Sequence, residues 1–182
     1  VRDSFKLIDF TSSQSNTLKA LILRSIALPQ FINHTHGKRL LSIFLSLSPT
    51  IPRESLIVLK DSLLSLPTGI IRKWGDILMT SDIACEDVRI RESIEKDVIQ
   101  ECLNLCIHAS NQRVFIATKS LLGSFVHYRK NKELWNRLTE LYEPVLFRSL
   151  TAVNARVRRH AVIVFTDCFP LGSSESRESY SN

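Results

Sequence analysis

Glycine and proline are scarce in this chain of 182 residues, five and six in all. That is too few for the tight turns a β-sandwich or barrel needs roughly every eight to twelve residues. Cysteine is thin as well. Cys85, Cys102, Cys106 and Cys168 fall short of the density of a secreted disulfide scaffold, and three of them sit on apolar faces of helical patterns, so reduced core thiols are expected. No apolar run approaches the roughly 20 residues that span a bilayer, and no charged-then-apolar leader follows Val1. These absences predict a soluble, intracellular and incomplete chain with no membrane partner. What is present is an ordinary globular composition, 44% hydrophobic and 23% charged, enough to bury a core without disulfides.

The apolar residues recur with helical period. Leu18, Leu21, Ile22 and Ile26 make one stripe after Ser15-Asn16, and Leu40, Leu41, Phe44 and Leu45 a second after Gly37. A third runs from Pro52 through Leu56, Leu59, Leu63 and Leu66 to Pro67. Thr68 then caps a segment carrying Ile70, Ile71, Trp74, Ile77 and Leu78. The pattern lapses between Ser81 and Asp87, which predicts a connection. A longer helix follows with Ile94, Val98, Ile99, Cys102, Leu105 and Cys106, its solvated face laced by Arg91-Glu95 and Glu92-Lys96 pairs. Asn111 caps the next, with Val114, Phe115, Leu121, Leu122, Phe125 and Val126. Beyond the basic loop at 129–132 comes a helix bearing Leu134, Leu138, Leu141, Val145, Leu146 and Leu150, kinked by Pro144. The last starts near Asn154, turns Val157, Ala161, Val164 and Cys168 inward, and ends at Pro170. The serine-rich run at 172–182 has no apolar stripe and is expected to be disordered. Helix pairs in series suggest a solenoid whose neighbouring pairs share one core, although a compact bundle would show the same stripes.

From Leu141 to Leu171 the layout is a proline-kinked helix, a turn at Ala152-Val153-Asn154, and then Ala155-Arg156-Val157-Arg158-Arg159-His160-Ala161. This resembles the second helix of a HEAT repeat, in which a Val-Arg pair is followed three residues on by a small residue that lets helices approach; Val157, Arg158 and Ala161 match it. The longer strings Arg91 to Asp97 and Leu141 to Leu150, closed by Phe169-Pro170-Leu171, resemble the G-type HEAT-repeat subunits of condensin II. The resemblance divides the chain into N-terminal helical repeats at 1–66, HEAT-like repeats at 68–171 and the tail. It implies an all-α, HEAT-repeat-like α-solenoid of the armadillo type, with Pro144, Val157, Arg158 and Ala161 as the structural motif. It further implies a regulatory subunit, not an enzyme and without a cofactor, that binds the kleisin, joins a pair of SMC ATPases, and acts on mitotic chromosomes in the nucleus.

Charge points the same way from the residues themselves. Between Asn111 and His160 stand ten Lys or Arg against three Glu, an excess of seven, whereas the remainder holds 14 basic and 15 acidic residues. Such a segment can attract phosphate by releasing counterions without reading sequence. The candidate contacts are Arg129, Lys130 and Lys132 in the loop and Arg156 and Arg159 at the start of the last helix, expected on one edge of the solenoid. The same cations could instead be solvated or complement helix C-termini, which leaves open a HEAT or armadillo-like adaptor that binds only proteins.

Other constellations are weaker. Cys102, Cys106 and His108 lack a second cysteine pair and do not share one face, so a metal is not expected. His34-Thr35-His36 reads as a polar loop. Trp74 and Trp135 lie on apolar stripes, as core rather than as stacking platforms for bases. Asp167 and His160 are seven apart, but no nucleophile elbow, phosphate-cradling glycine loop or paired carboxylate accompanies them; neither catalysis nor a small-molecule substrate is expected.

Overall fold

The computed structural model describes residues 7–10, 12–25 and 28–169. Among these the ordered elements are all helical. After a 3₁₀ turn at Ser13–Ser15 come α1 (Asn16–Ser25), α2 (Pro29–Asn33), α3 (Thr35–Leu45), α4 (Thr50–Ser62) and α5 (Thr68–Ala84). The rod α6 is continuous but not uniform: Val88–Glu92 is α-helical, Ser93–Ile99 is π-helical, and Gln100–His108 is α-helical again. Then follow α7 (Gln112–Gly123) with a 3₁₀ extension at Ser124–Tyr128, α8 (Lys132–Leu150) and α9 (Ala155–Cys168). Five starts are fixed by a side chain, that of α3 by the His34 ring and four by Asp or Asn. Asp87, Asn111, Asn131 and Asn154 each accept from a backbone N–H in the following turn, a cap worth about 1 kcal/mol apiece. Pro29 opens α2 at a position whose N–H would have no helical partner.

The helices alternate between two layers. In one, α3 packs on α5, α5 on α7 and α7 on α9; in the other, α4 packs on α6 and α6 on α8. From α3 onward each helix therefore meets the helix two places along, while α1 packs on α4 and α2 on α5. The polar bonds across these interfaces have a regular sequence separation. Ser81 Oγ donates to Ser42 Oγ across 39 residues, Ser93 Oγ to the Pro49 carbonyl across 44, and Lys60 reaches Glu101 across 41. Arg137 meets Glu95 across 42 and Lys119 meets Asp167 across 48. A recurrence near 40 to 50 residues is the period of stacked HEAT-type pairs. The fold is all-α as expected, and this register is compatible with an α-solenoid.

The core lies between the layers. Ile71, Trp74 and Leu78 of α5, Ile94, Val98 and Cys102 of α6, Leu121 and Leu122 of α7, Leu138 of α8 and Ala161 of α9 are all buried there. Gly75 carries a contact that periodicity does not reveal. It faces the Ser124 side chain and the Leu121 carbonyl so closely that any Cβ would collide with them, which is how α5 and α7 come together.

Several sequence expectations are corrected. Leu18 and Leu21 are 40% and 59% exposed, and α1 buries Ile22 and Leu23 instead. Its chief helical neighbour is α4, so only a narrow stripe is covered. Ile26, Pro170, Leu171 and the serine-rich segment at 172–182 lie outside the described residues. Helix α3 begins at Thr35 rather than after Gly37; Gly37 is buried in its first turn against the Phe31 carbonyl, and His34 is its cap, not part of a loop. Helix α4 stops at Ser62, short of Pro67, although Leu63 beyond it is still buried. Thr68 is the first residue of α5 and does not cap it. The expected connection from Ser81 is mostly helix, because Ser81 and Asp82 are buried polar residues with partners inside the fold.

Candidate functional site

The loop cations are placed by the 3₁₀ extension of α7 and by the Asn131 cap. Arg129 and Lys130 occupy the turn and Lys132 opens α8. All three are exposed and make no ion pair among the described residues. Arg156 and Arg159 are equally exposed and unpaired in the first turns of α9, set there by the Asn154 cap. The two groups do not share an edge. Between them runs the whole of α8, 19 residues or about 28 Å of helix, so the chain crosses the layer from one rim to the other. Near the first group the charge is mixed, with Glu133 beside Lys132 and a His127–Asp76 contact of 3.7 Å.

The second group gains a member that the sequence counted but did not single out. His160 Nδ1 lies 3.1 Å from the Ile107 carbonyl and its ring stacks on Phe115 at 4.0 Å. The first turns of α9 therefore sit beside the end of α6 and the start of α7. Arg113, the second residue of α7 and exposed, comes to the same rim as Arg156 and Arg159. The Asn111 cap was the available signal.

Two arginines of the basic third are spoken for. Arg137 donates to Asp82 Oδ2 at 2.7 Å, Glu95 Oε1 at 2.5 Å and Glu133 Oε1 at 2.8 Å, tying α5, α6 and α8 together. Asp82 is almost wholly buried, and its Oδ1 has no hydrogen-bond partner among the described residues. Burial first, and then the neighbouring Glu95 carboxylate, push the Asp82 carboxyl from 3.8 up to about 7, against the pull of Arg137. The expected solvated Arg91-Glu95 pair is thereby corrected. Glu95 lies in the π-helical stretch and accepts from Arg137 Nε instead of pairing with Arg91, while Lys96 does hold Glu92 at 2.9 Å. Arg158 donates to the carbonyls of Ala152 and Val153 at 2.8 and 2.7 Å, bracing the turn between α8 and α9. Val157 and Ala161 are buried behind it, and Pro144 stands on the exposed side of α8.

The remaining candidates take structural places. Cys102, Cys106 and Cys168 are buried, and burial pushes their thiols up to about 12, 11 and 12, which makes them poor nucleophiles. His108 is exposed, away from them, and no His, Cys, Asp or Glu cluster fit for a metal occurs among the described residues. His34 and His36 lie at the start of α3, where the His34 ring accepts from the His36 N–H. Asp167 pairs with Lys119 at 2.7 Å rather than with His160. Trp74 and Trp135 are buried. No helix among the described residues is long and apolar enough to cross a membrane.

Among known proteins, the chain is 27% identical to the condensin-2 complex subunit G2 of Xenopus laevis over 165 residues, which is 90% of this chain and 14% of that protein. The human protein of the same name is 24% identical over 173 residues, 94% of this chain and 15% of the relative. Identity to the Danio rerio counterpart is 26% over the same share. The chain thus spans 14 to 15% of the length of these relatives. No solved structure matches. Residues 24–173, which take in every helix from α2 to α9, match the family described as the condensin II non structural maintenance of chromosomes subunit, and the chain belongs to that family.

Proposed function

We propose that this chain is part of a non-catalytic regulatory subunit of condensin II, a helical scaffold that binds the kleisin and through it joins the SMC ATPase pair, acting on chromosomes in the nucleus during mitotic condensation. The observation that carries this reading is the family match across 24–173. The stacked two-layer fold supports it, because such stacks present long surfaces suited to an extended partner chain. In this reading Arg129, Lys130 and Lys132 at one rim, and Arg156 and Arg159 at the other, add contacts to DNA phosphates without sequence preference. A duplex meeting both groups must run along α8. The full-length protein, co-expressed with the condensin II kleisin, should purify as a stable complex. A folded full-length protein that leaves the kleisin behind would overturn the reading.

One observation favours a second reading, a HEAT-like adaptor with no nucleic-acid role. The basic residues are divided between two rims and one group is interleaved with carboxylates. A folded chain that shows no salt-sensitive binding to duplex DNA would support it.

A further inference from the structure

We infer that the groove between α3 and α5 is a docking site for a short acidic peptide segment that carries apolar anchors at helical spacing. The groove encloses about 980 Å³ and follows α3 over its 11 residues, roughly 16 Å. The two helices run in parallel, since Lys73 meets Asn33 at one end and Ser81 meets Ser42 further along. Its floor is apolar: Leu40, Ile43 and Ile77 line it, with Ala84 at the far end. Leu40 and Ile43 are only half-buried by the chain itself, so they retain apolar area for a partner to cover.

The rim supplies the charge. Lys38 and Arg39 line the groove on α3 and have no ion pair among the described residues. Asp76, the one carboxylate in the lining, already faces His127 at 3.7 Å, and its carbonyl accepts from the Tyr128 hydroxyl at 3.2 Å. The groove therefore offers two cations free of ion pairs, Lys38 and Arg39, against the single carboxylate of Asp76, whose contact is a histidine ring. An acidic partner is complementary, and rim charges of this kind steer association. Shape selects among acidic partners. The groove is open along its length, whereas small-molecule sites enclose most of their ligand. Nucleic acid is disfavoured by the apolar floor, since phosphate tracks are lined by cations and polar groups. An amphipathic helix laid between two parallel helices, with anchors on the half-buried Leu40 and Ile43 and acids towards Lys38 and Arg39, satisfies both floor and rim. This rests on the scaffold reading only in taking the chain to be a binder; it does not require the occupant to be the kleisin.

The test is a selection from a display library of randomised helical peptides about 16 residues long, with the intact 182-residue chain as bait. The best binders are then synthesised, labelled and titrated by fluorescence anisotropy. Expected are winners rich in Asp and Glu, with apolar residues three or four apart. Their affinity should fall about tenfold on the double change Lys38→Glu and Arg39→Glu, and again on Ile43→Gln, with the melting temperature of each variant unchanged. Hydrogen exchange on the unaltered chain provides a readout independent of the variants, and bound peptide should protect α3 and α5. No winners, neutral or basic winners, or acidic winners that ignore the double change and protect other helices would overturn the proposal. So would competition by duplex DNA that the double change itself weakens, since the groove would then be a phosphate contact. Failure of kleisin co-purification leaves these outcomes untouched, so the two readings fail separately.

Discussion

Helices α1 and α9 stand at opposite ends of the described stack, yet only α9 shows the face its sequence announces. Val157, Ala161, Val164 and Cys168 recur at helical spacing and all four are buried. In α1 the equally regular Leu18 and Leu21 are exposed. The difference lies in the neighbours. Helix α9 packs on α6, α7 and α8, whereas α1 has α4 as its chief helical neighbour. Apolar periodicity reports a face that can be buried; how much of it is covered depends on how many helices arrive.

The contrast can be broken by substitution. The largest effect is expected inside the stack, where Trp74→Ala should cost about 3–5 kcal/mol in urea unfolding. Leu21→Ala in α1 should stay within about 0.5 kcal/mol. Equal losses at the two positions would remove the distinction. Next in size is the buried ion cluster. Arg137→Ala strands Asp82 and Glu95 and should cost about 3 kcal/mol, while Arg53→Ala, whose partner Asp97 is at the surface, should cost less than about 1 kcal/mol.

The cluster also sets a pH dependence with a definite sign. The Asp82 carboxyl is raised from 3.8 to about 7 in the fold, chiefly by burial, so the folded chain holds that proton more tightly than the unfolded one. The stabilisation from protonating Asp82 is complete below the unfolded value of 3.8 and is lost as pH rises through about 7. Unfolding free energy should therefore decline across that window in the natural chain and decline less in Asp82→Asn. Parallel pH profiles for the two would show that Asp82 does not titrate as described.

Smaller effects sharpen the comparison within α9. Ala161→Phe should overpack the interface of α9 with its neighbours and cost about 1–3 kcal/mol, and Asn154→Ala should remove a cap worth about 1 kcal/mol. Both are read as midpoint shifts at constant slope. In DNA binding, exchanging Arg129, Lys130 and Lys132 for Glu, and separately Arg156 and Arg159, should each lower the salt slope by about one for every phosphate no longer engaged. A slope that changes for one rim alone would assign any phosphate binding to that rim.

Much of this fold is legible in the sequence. Trp74, Leu122, Leu138 and Ala161 are expected inside and are inside, because long helices with several neighbours bury the face their period marks. What periodicity does not show is polar or local. Asp82 reads as part of a connection because a carboxylate signals solvent; its burial depends on Arg137, which lies 55 residues away and cannot be inferred from spacing. The partner of Glu95 is likewise Arg137, 42 residues away, and not Arg91 on its own helix. Gly37 looks like a break yet lies within a helix, where the close Phe31 carbonyl excludes a side chain. Among the candidate phosphate contacts, each residue's exposure could be expected from charge. Their division between two rims could not, since sequence distance is silent about a helix that carries the chain across the layer.

The Arg137 cluster has a mechanical side. A stack whose helices pack on one another in two layers can bend like a leaf spring, by small sliding at each interface. Arg137 of α8 acts as a rivet through three leaves, holding α5 through Asp82 and α6 through Glu95. Flexing there must loosen ion pairs in a water-poor setting, whereas the bond across the α3–α5 interface is the neutral one between Ser81 and Ser42. A change of curvature that spares these ion pairs would have to fall on the side of α3, where the groove lies.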